Sequence, residues 1–299
     1  MKKLIFCLFC LISCGESTKN SMVIDDLDNF NNLIKVTLLD ELVDESSGLV
    51  FLNNDLITFN DSGGNNSLYE IDTINGEIIR TVEITNTINN DWEDITTDSE
   101  YIYIGDFGNN YGNRQDLVIY KVSIPDYLNT SENTVVAEQI NFSYSDQTTF
   151  QSNPYNSNFD AESIISFNDS LYIFTKNWVD NKSNVYSLTK NVGTYIASKV
   201  DSLDVQGLIT AAEYNHTSNT VTLLGYNSDS NFVIELTNFN DSNFSQGLVN
   251  KFQLVIPENS SIQTEGLTSL NNNYYISAEE YLGNSQVLYK INKDSLLSN

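Results

Sequence analysis

Asp91-Trp92-Glu93-Asp94-Ile95 is the second of five related phrases in this 299-residue chain. The others are Glu45-Ser46-Ser47-Gly48-Leu49, Asp160-Ala161-Glu162-Ser163-Ile164, Asp204-Val205-Gln206-Gly207-Leu208 and Gln263-Thr264-Glu265-Gly266-Leu267. Each copy runs from an acidic or amide residue through any residue to Glu, Gln or Ser, then a small or short polar residue, then Leu or Ile. Similarity recurring every few tens of residues marks a repeat architecture. The phrases start 46, 69, 44 and 59 residues apart.

Short alternating runs rich in Ile, Val, Tyr, Phe and Thr follow each phrase, bounded by Asn, Asp, Gly and Ser, and such runs read as β-strands. After the first copy they fall near 47–52, 55–60, 67–72 and 77–84, and after the third near 162–167, 170–175, 184–189 and 195–201. No window carries a helical period, so almost no helix is expected. Four strands per repeat is the blade of a β-propeller. The expected fold is therefore all-β: a single propeller of five four-stranded blades, with six possible if the longest interval hides a degenerate blade. An insertion around Tyr144 to Asn158 and a loop near Asn238 to Ser245 account for the two long intervals. The last copy leaves room for three strands only (265–270, 273–278 and 286–291), and Leu33 to Leu39 is expected to supply the fourth. Such closure buries both edges of the ring.

The N-terminus reads as a processing signal. Lys2 and Lys3 precede an apolar run from Leu4 to Ile12 that is too short to span a bilayer. Leu11-Ile12-Ser13-Cys14 then resembles a lipobox, with an ordinary signal peptide as the alternative. On the lipobox reading, 1–13 is a lipoprotein signal peptide, 14–32 a lipidated Cys14 and flexible tether, and 33–299 the propeller. Cys7, Cys10 and Cys14 all lie in this leader, so the mature domain has no thiol for disulfides, metal or catalysis. The mature chain carries 12 basic against 40 acidic residues, a net charge of −28. Such a surface repels nucleic acid and anionic headgroups. The expected partners are the membrane, through the lipid, and a small polar ligand, glycan or protein. The protein is expected to be a monomer in the cell envelope, at the outer membrane.

In a propeller the phrase opens the innermost strand, so its polar positions crowd the mouth of the central channel. Position one supplies Glu45, Asp91, Asp160, Asp204 and Gln263, and position three Ser47, Glu93, Glu162, Gln206 and Glu265. The seven carboxylates among them repel: two unit charges ~4 Å apart at an effective dielectric of ~20 cost about 4 kcal/mol. They either take up protons, hold a cation, or cap neighbouring strands through backbone amides. Calcium suits hard oxygen ligands. Zinc is disfavoured by a single histidine, His216, in a turn-like stretch. Loops between second and third strands open on the same face and add Asp61, Asp106, Asn110, Arg114, Lys176 and Glu279 as candidate ligand-binding residues, although Asn, Asp and Gly there also serve turns. Trp92 and Trp178 read as packing residues first.

Ser-Ser-Gly-Leu at 46–49, Phe-Asn-Asp-Ser-Gly-Gly from Phe59, Asp-Trp-Glu-Asp-Ile from Asp91 and Ile-Gly-Asp-Phe-Gly-Asn-Asn from Ile104 resemble exported bacterial propellers near the SdiA-regulated and phytase-esterase-like groups. The likeness covers 45–125 well and the remainder only through the phrase. It implies a propeller and calcium, without a common reaction. A remoter likeness to calcium-activated apyrases would match Ser47, Glu93, Glu162, Gln206 and Glu265 to their axial ring, with Gln206 a departure. Two functions are expected to compete. One is a calcium-containing binding module. The other is a calcium-dependent hydrolase of phosphates or esters at the channel mouth. Against the second stand only two arginines, Arg80 and Arg114, no Gly-x-Ser-x-Gly elbow and a lone histidine.

Overall fold

The computed structural model describes residues 32–257 and 262–296. The leader, Cys14 and nearly all of the tether lie outside them. No helix among the described residues is long and apolar enough to cross a membrane. The only α-helix among them is α1 (Ile124–Asn129), capped by the Ser123 hydroxyl with Pro125 in its first turn.

Twenty-one strands lie among the described residues. The first sheet holds β2 (Ser46–Leu52), β3 (Asp55–Asn60), β4 (Ser67–Ile71) and β5 (Ile78–Ile84). The second holds β6 (Trp92–Thr97), β7 (Tyr101–Asp106), β8 (Val118–Ser123) and β10 (Glu138–Tyr144). The third is β11 (Ala161–Phe167), β12 (Ser170–Thr175), β13 (Ser183–Thr189) and β14 (Gly193–Leu203). The fourth is β15 (Leu208–Asn215), β16 (Thr220–Tyr226), β17 (Asn231–Thr237) and β18 (Leu248–Leu254). The last contains β19 (Thr264–Leu270), β20 (Asn273–Ala278) and β21 (Val287–Asn292), beside which β1 (Ile34–Leu38) pairs antiparallel. Tight turns between first and second strands use Asn53, Asn168, Asn219 and Asn271 at positive φ, a conformation that asparagine tolerates well.

Strands β2, β6, β11, β15 and β19 touch in a cycle. The arrangement is propeller-like. Burial follows from it: β4 and β11 are buried on both faces, whereas the outer strand β5 alternates. Apolar residues accordingly gather between neighbouring sheets. One cluster joins Ile57 and Leu68 to Ile95 and Val118, and another joins Ile165 and Phe174 to Ile209 and Phe232. The 238–247 loop adds to the latter by burying Phe244 against Tyr172 and Phe174.

Two pairings tie sheets together at their outer edges. Strand β9 (Thr134–Val135), which follows α1, runs parallel to β5. Strand β10 runs parallel to β14, so the second and third sheets form one eight-stranded sheet. The longest repeat interval therefore contains α1 and β9 as well as the insertion after Tyr144.

Candidate functional site

Register places the site residues. In the first strand of four sheets a bulge falls within the phrase: Ser46 pairs Asn60 and Leu49 pairs Thr58; Trp92 pairs Asp106 and Asp94 pairs Gly105; Ala161 pairs Thr175 and Ser163 pairs Phe174; Thr264 pairs Ala278 and Gly266 pairs Ser277. In β15 the same shift lies between Ile209, opposite Gly225, and Ala211, opposite Leu224. The fourth phrase is thus displaced by four residues, and its structural position three is Thr210. Gln206 sits outside the ring, exposed at φ 51°, and Asp204 is exposed as well. The inner ring is Ser47, Glu93, Glu162, Thr210 and Glu265, all buried. The hydroxyl of Ser47 donates to the Glu93 carbonyl, and that of Thr210 donates to the Thr264 carbonyl at 2.8 Å. These two members are therefore committed to bridging neighbouring strands.

The residues at the ends of the second strands form an outer ring: Asp61, Phe107, Lys176 and Glu279 just beyond theirs, and Tyr226 as the last residue of β16. The amides of Asp61, Phe107, Lys176 and Glu279 donate to the position-one carbonyls of Glu45, Asp91, Asp160 and Gln263 at 2.8–3.2 Å. Asp61, Asp91 and Glu93 bring one carboxylate oxygen each to within 4.8 Å of one another. Burial, then the charges of Asp61 and Glu162, lifts Glu93 well above the usual carboxylate range. Asp61 is raised by burial and then by Asp91 and Glu265. Burial pushes Asp91 to about 6 against the opposing pull of Arg114, and burial with Glu265 and Glu45 pushes Glu279 to about 8.

Lys176 divides this acidic set. Its ammonium lies 3.1 Å from Glu162, almost fully buried, 5.2 Å from the Trp178 ring and 5.6 Å from that of Tyr226. Burial alone would lower the ammonium, but Glu162 and Glu265 outweigh it and hold it well above the usual lysine value. The Gln263 side-chain amide donates to Glu265. Glu162 and Glu265 are therefore partnered from within the protein, and Asp61, Asp91 and Glu93 form the more open carboxylate group.

Other candidates are structural ties. Asp160, fully buried, accepts from the Asn109 amide at 2.6 Å and from the Trp178 indole at 2.7 Å. Asp106 accepts from the amides of Asn90 and Asp91 and, at 2.8 Å, from Arg114. Arg114 also reaches Asp116 at 3.1 Å and the Gly108 carbonyl at 2.9 Å, so its fork is filled by its own loop. Arg80 pairs with Glu70 at 2.9 Å far from the mouth. Asn110 accepts from the Tyr155 amide through its carbonyl. Glu45 is exposed at the rim, its carboxyl raised by partial burial and then by Asp44. Trp92 is fully buried and packs edge-on to Phe59. His216 lies at the far end of β15, against the Tyr214 ring.

Asp94 escaped the sequence reading, because position four reads as a small or short polar residue. In this strand the carboxylate enters the channel and accepts from the amides of Ile95 (2.8 Å), Ile164 (2.9 Å) and Ala212 (3.3 Å), joining three inner strands. Burial lifts its pKa well above the carboxylate range against the pull of those bonds. A small residue is needed elsewhere: a Cβ on Gly266 would stand 2.2 Å from the Ser47 carbonyl.

Gly108 matters directly to the carboxylate group. A Cβ there would meet Glu93 Oε1 at 1.9 Å and Asp91 Oδ2 at 2.5 Å. Gly108→Ala is expected to displace both carboxylates and weaken any divalent-cation response at least ~10-fold, about 1.4 kcal/mol of binding. Calcium titrations followed by thermal shift check it; an unchanged midpoint would remove Asp91 and Glu93 from the site.

No protein-family model matches the chain, and no curated protein matches it. Solved structures do. The glutaminyl cyclase of Myxococcus xanthus superposes with a TM-score of 0.50 at 10% identity, over 87% of this chain and 96% of that one. A hypothetical protein from Leishmania major gives 0.48 at 11% identity, over 89% and 94%. Identities this low speak to the fold alone, and the former supports a propeller-like one.

Proposed function

We propose that this chain is a lipid-anchored, exported five-bladed propeller, closed by its N-terminal strand, whose channel mouth binds calcium and presents a polar ligand- or partner-binding face. The observation that carries the reading is the convergence of Asp61, Asp91 and Glu93 oxygens within 4.8 Å. Three close carboxylates call for a cation or protons, and an all-oxygen donor set suits calcium. On this reading the ion lies off the axis, on the side of the first two sheets, because Lys176 already pairs with Glu162 and Gln263 donates to Glu265. The blade count rests on five inner strands in a cycle, and the closing strand on the β1–β21 pairing. Kinship to the SdiA-regulated or phytase-esterase-like propellers, and the cell-envelope location, belong to the same proposal.

The hydrolase reading is the weaker alternative. Arg114 and Lys176, the cations nearest the mouth, are both paired with carboxylates, which leaves neither to receive a phosphate.

The test is a set of melts of residues 32–299 in EDTA, calcium and magnesium. In EDTA, stability is expected to fall as pH rises from about 5 to about 8: groups with raised folded-state pKa values contribute fully below their unfolded values near ~4 and lose that contribution on passing their folded ones. Asp91 at about 6 and Glu279 at about 8 span that window. Calcium competes with the protons and should flatten the profile, adding about 2.7 kcal/mol at a hundredfold excess over Kd. Glu93→Gln should abolish the calcium response while Glu162→Gln retains it. If Glu162→Gln abolishes it equally, the ion belongs on the axis; with no calcium shift in the stripped wild type, the acids are caps and the calcium reading falls.

A further inference from the structure

The insertion after β10 builds a second site, apart from the acidic mouth. Residues 145–159 fold against the 107–114 loop and the start of the 176–182 loop. The Asn153 and Tyr155 amides donate to the carbonyls of Tyr111 and Asn110, each at 2.8 Å. Gln147 Nε2 donates to the Gly112 carbonyl at 3.0 Å, and the Trp178 amide donates to the Ser157 carbonyl at 3.1 Å. The three loops enclose a cleft of about 550 Å³.

No described residue lining this cleft is ionisable, in a chain carrying 40 acids. Its polar lining is amides and hydroxyls, among them Thr149, Gln151, Ser152, Asn153, Asn156 and Asn158. Amides offer donors and acceptors side by side, and hydroxyls offer both on one atom. Phe159 is the aromatic residue of the lining; beside the cleft, Tyr155, which precedes the lining Asn156, stands edge-on to Trp178, which precedes the lining Val179, with centroids 5.0 Å apart and 58% of the Tyr155 surface exposed. Tyr111 and Phe150 on the same loops are also exposed. An anion would find no countercharge here and a surrounding negative field. A cation would be drawn instead to the mouth, and an apolar ligand would strand the amides. A neutral polyhydroxylated molecule satisfies the lining: its hydroxyls meet the amides, and its C–H faces find Phe159 in the lining and the Tyr155 and Trp178 rings beside it.

We infer that this cleft binds a neutral saccharide. The site shares no lining residue with the calcium group, so its occupancy does not require calcium.

Trp178 supplies the readout, since the chain's other tryptophan, Trp92, is fully buried. The protein is titrated, with calcium and with EDTA, with neutral oligosaccharides of glucose, mannose, xylose and N-acetylglucosamine, and with alginate and polygalacturonate fragments as charged controls. At least one neutral sugar is expected to shift the emission saturably with or without calcium. The double variant Tyr155→Ala/Asn156→Ala, its melting temperature checked, should weaken binding about tenfold or more, roughly 1.4 kcal/mol. Silence from every neutral sugar at millimolar concentration overturns the inference. So does binding confined to the charged fragments, or affinity unmoved in the double variant. Loss of binding in EDTA would place the sugar at the mouth instead and also overturn it.

Discussion

Asp94→Ala is expected to lower stability by about 4 kcal/mol, because two or three buried backbone amides lose their acceptor at ~1–3 kcal/mol each. The amides belong to Ile95, Ile164 and Ala212, on three different inner strands. No strand can turn to find another partner without leaving its sheet, and the truncated side chain leaves a void as well. For a domain of this size the melting temperature should fall by roughly ten degrees, at ~2–4 °C per kcal/mol. Asp94→Asn keeps one acceptor oxygen and should lose about half as much. Urea and thermal melts of the three proteins check the order. A loss below about 1 kcal/mol in the alanine variant would mean that water replaces the carboxylate and that its bridging is dispensable.

Lys176→Met should destabilise the domain by about 3–5 kcal/mol at pH 8, the usual result of stripping a buried charge of its partner. The ammonium 3.1 Å from Glu162 opposes the burial that raises that carboxyl. Without it the folded-state pKa of Glu162 climbs further above its unfolded value. Stability tied to such a group is complete below the unfolded pKa near ~4.3 and drains away as pH rises through the folded one. The variant's deficit should therefore be large at pH 8 and mostly recovered at pH 5. Melts across that range decide it. A deficit independent of pH would mean that the Lys176 stem, against Trp178 and Tyr226, contributes packing alone.

Much of the fold was legible because alternation and turn chemistry agree along the chain. The expected 47–52, 55–60 and 67–72 became Ser46–Leu52, Asp55–Asn60 and Ser67–Ile71. What failed was register. Asp204-Val205-Gln206-Gly207-Leu208 has the residue types of the phrase, but β14 runs on to Leu203 and the bulge that sets the ring comes later, at Ile209–Ala211. A marker was present in Leu208-Ile209-Thr210-Ala211-Ala212, whose small residues allow close approach at the channel. Pattern matching on charge passed over it. Lys176 and Asp61 were legible as mouth residues from their place after second strands. The partnership of Lys176 with Glu162 was not: β11 and β12 are hairpin neighbours with Ala161 opposite Thr175, but it is the bulge between Ala161 and Ser163 that turns Glu162 toward the lysine, and a bulge leaves no mark in alternation. Asp94 was hidden because two of the amides that donate to its carboxylate lie 70 and 118 residues away, on strands that only the closed cycle brings near.

The parallel seam between β10 and β14 sets how the molecule breathes. Backbone hydrogen bonds run from Ile140–Tyr144 to Gly193–Ala197 across that seam, so neither sheet can detach without severing its neighbour's edge. The second and third sheets are one cooperative unit, together with the loops and the cleft they carry. Among the described residues the fourth sheet has no such seam: its outer strand β18 ends the sheet, with an Asn32–Val255 bridge just past its end. Strand β1 likewise ends the last sheet, so sub-global opening, proteolytic nicking and strand exchange with a second molecule are expected at the β18 and β1 edges rather than at the seam.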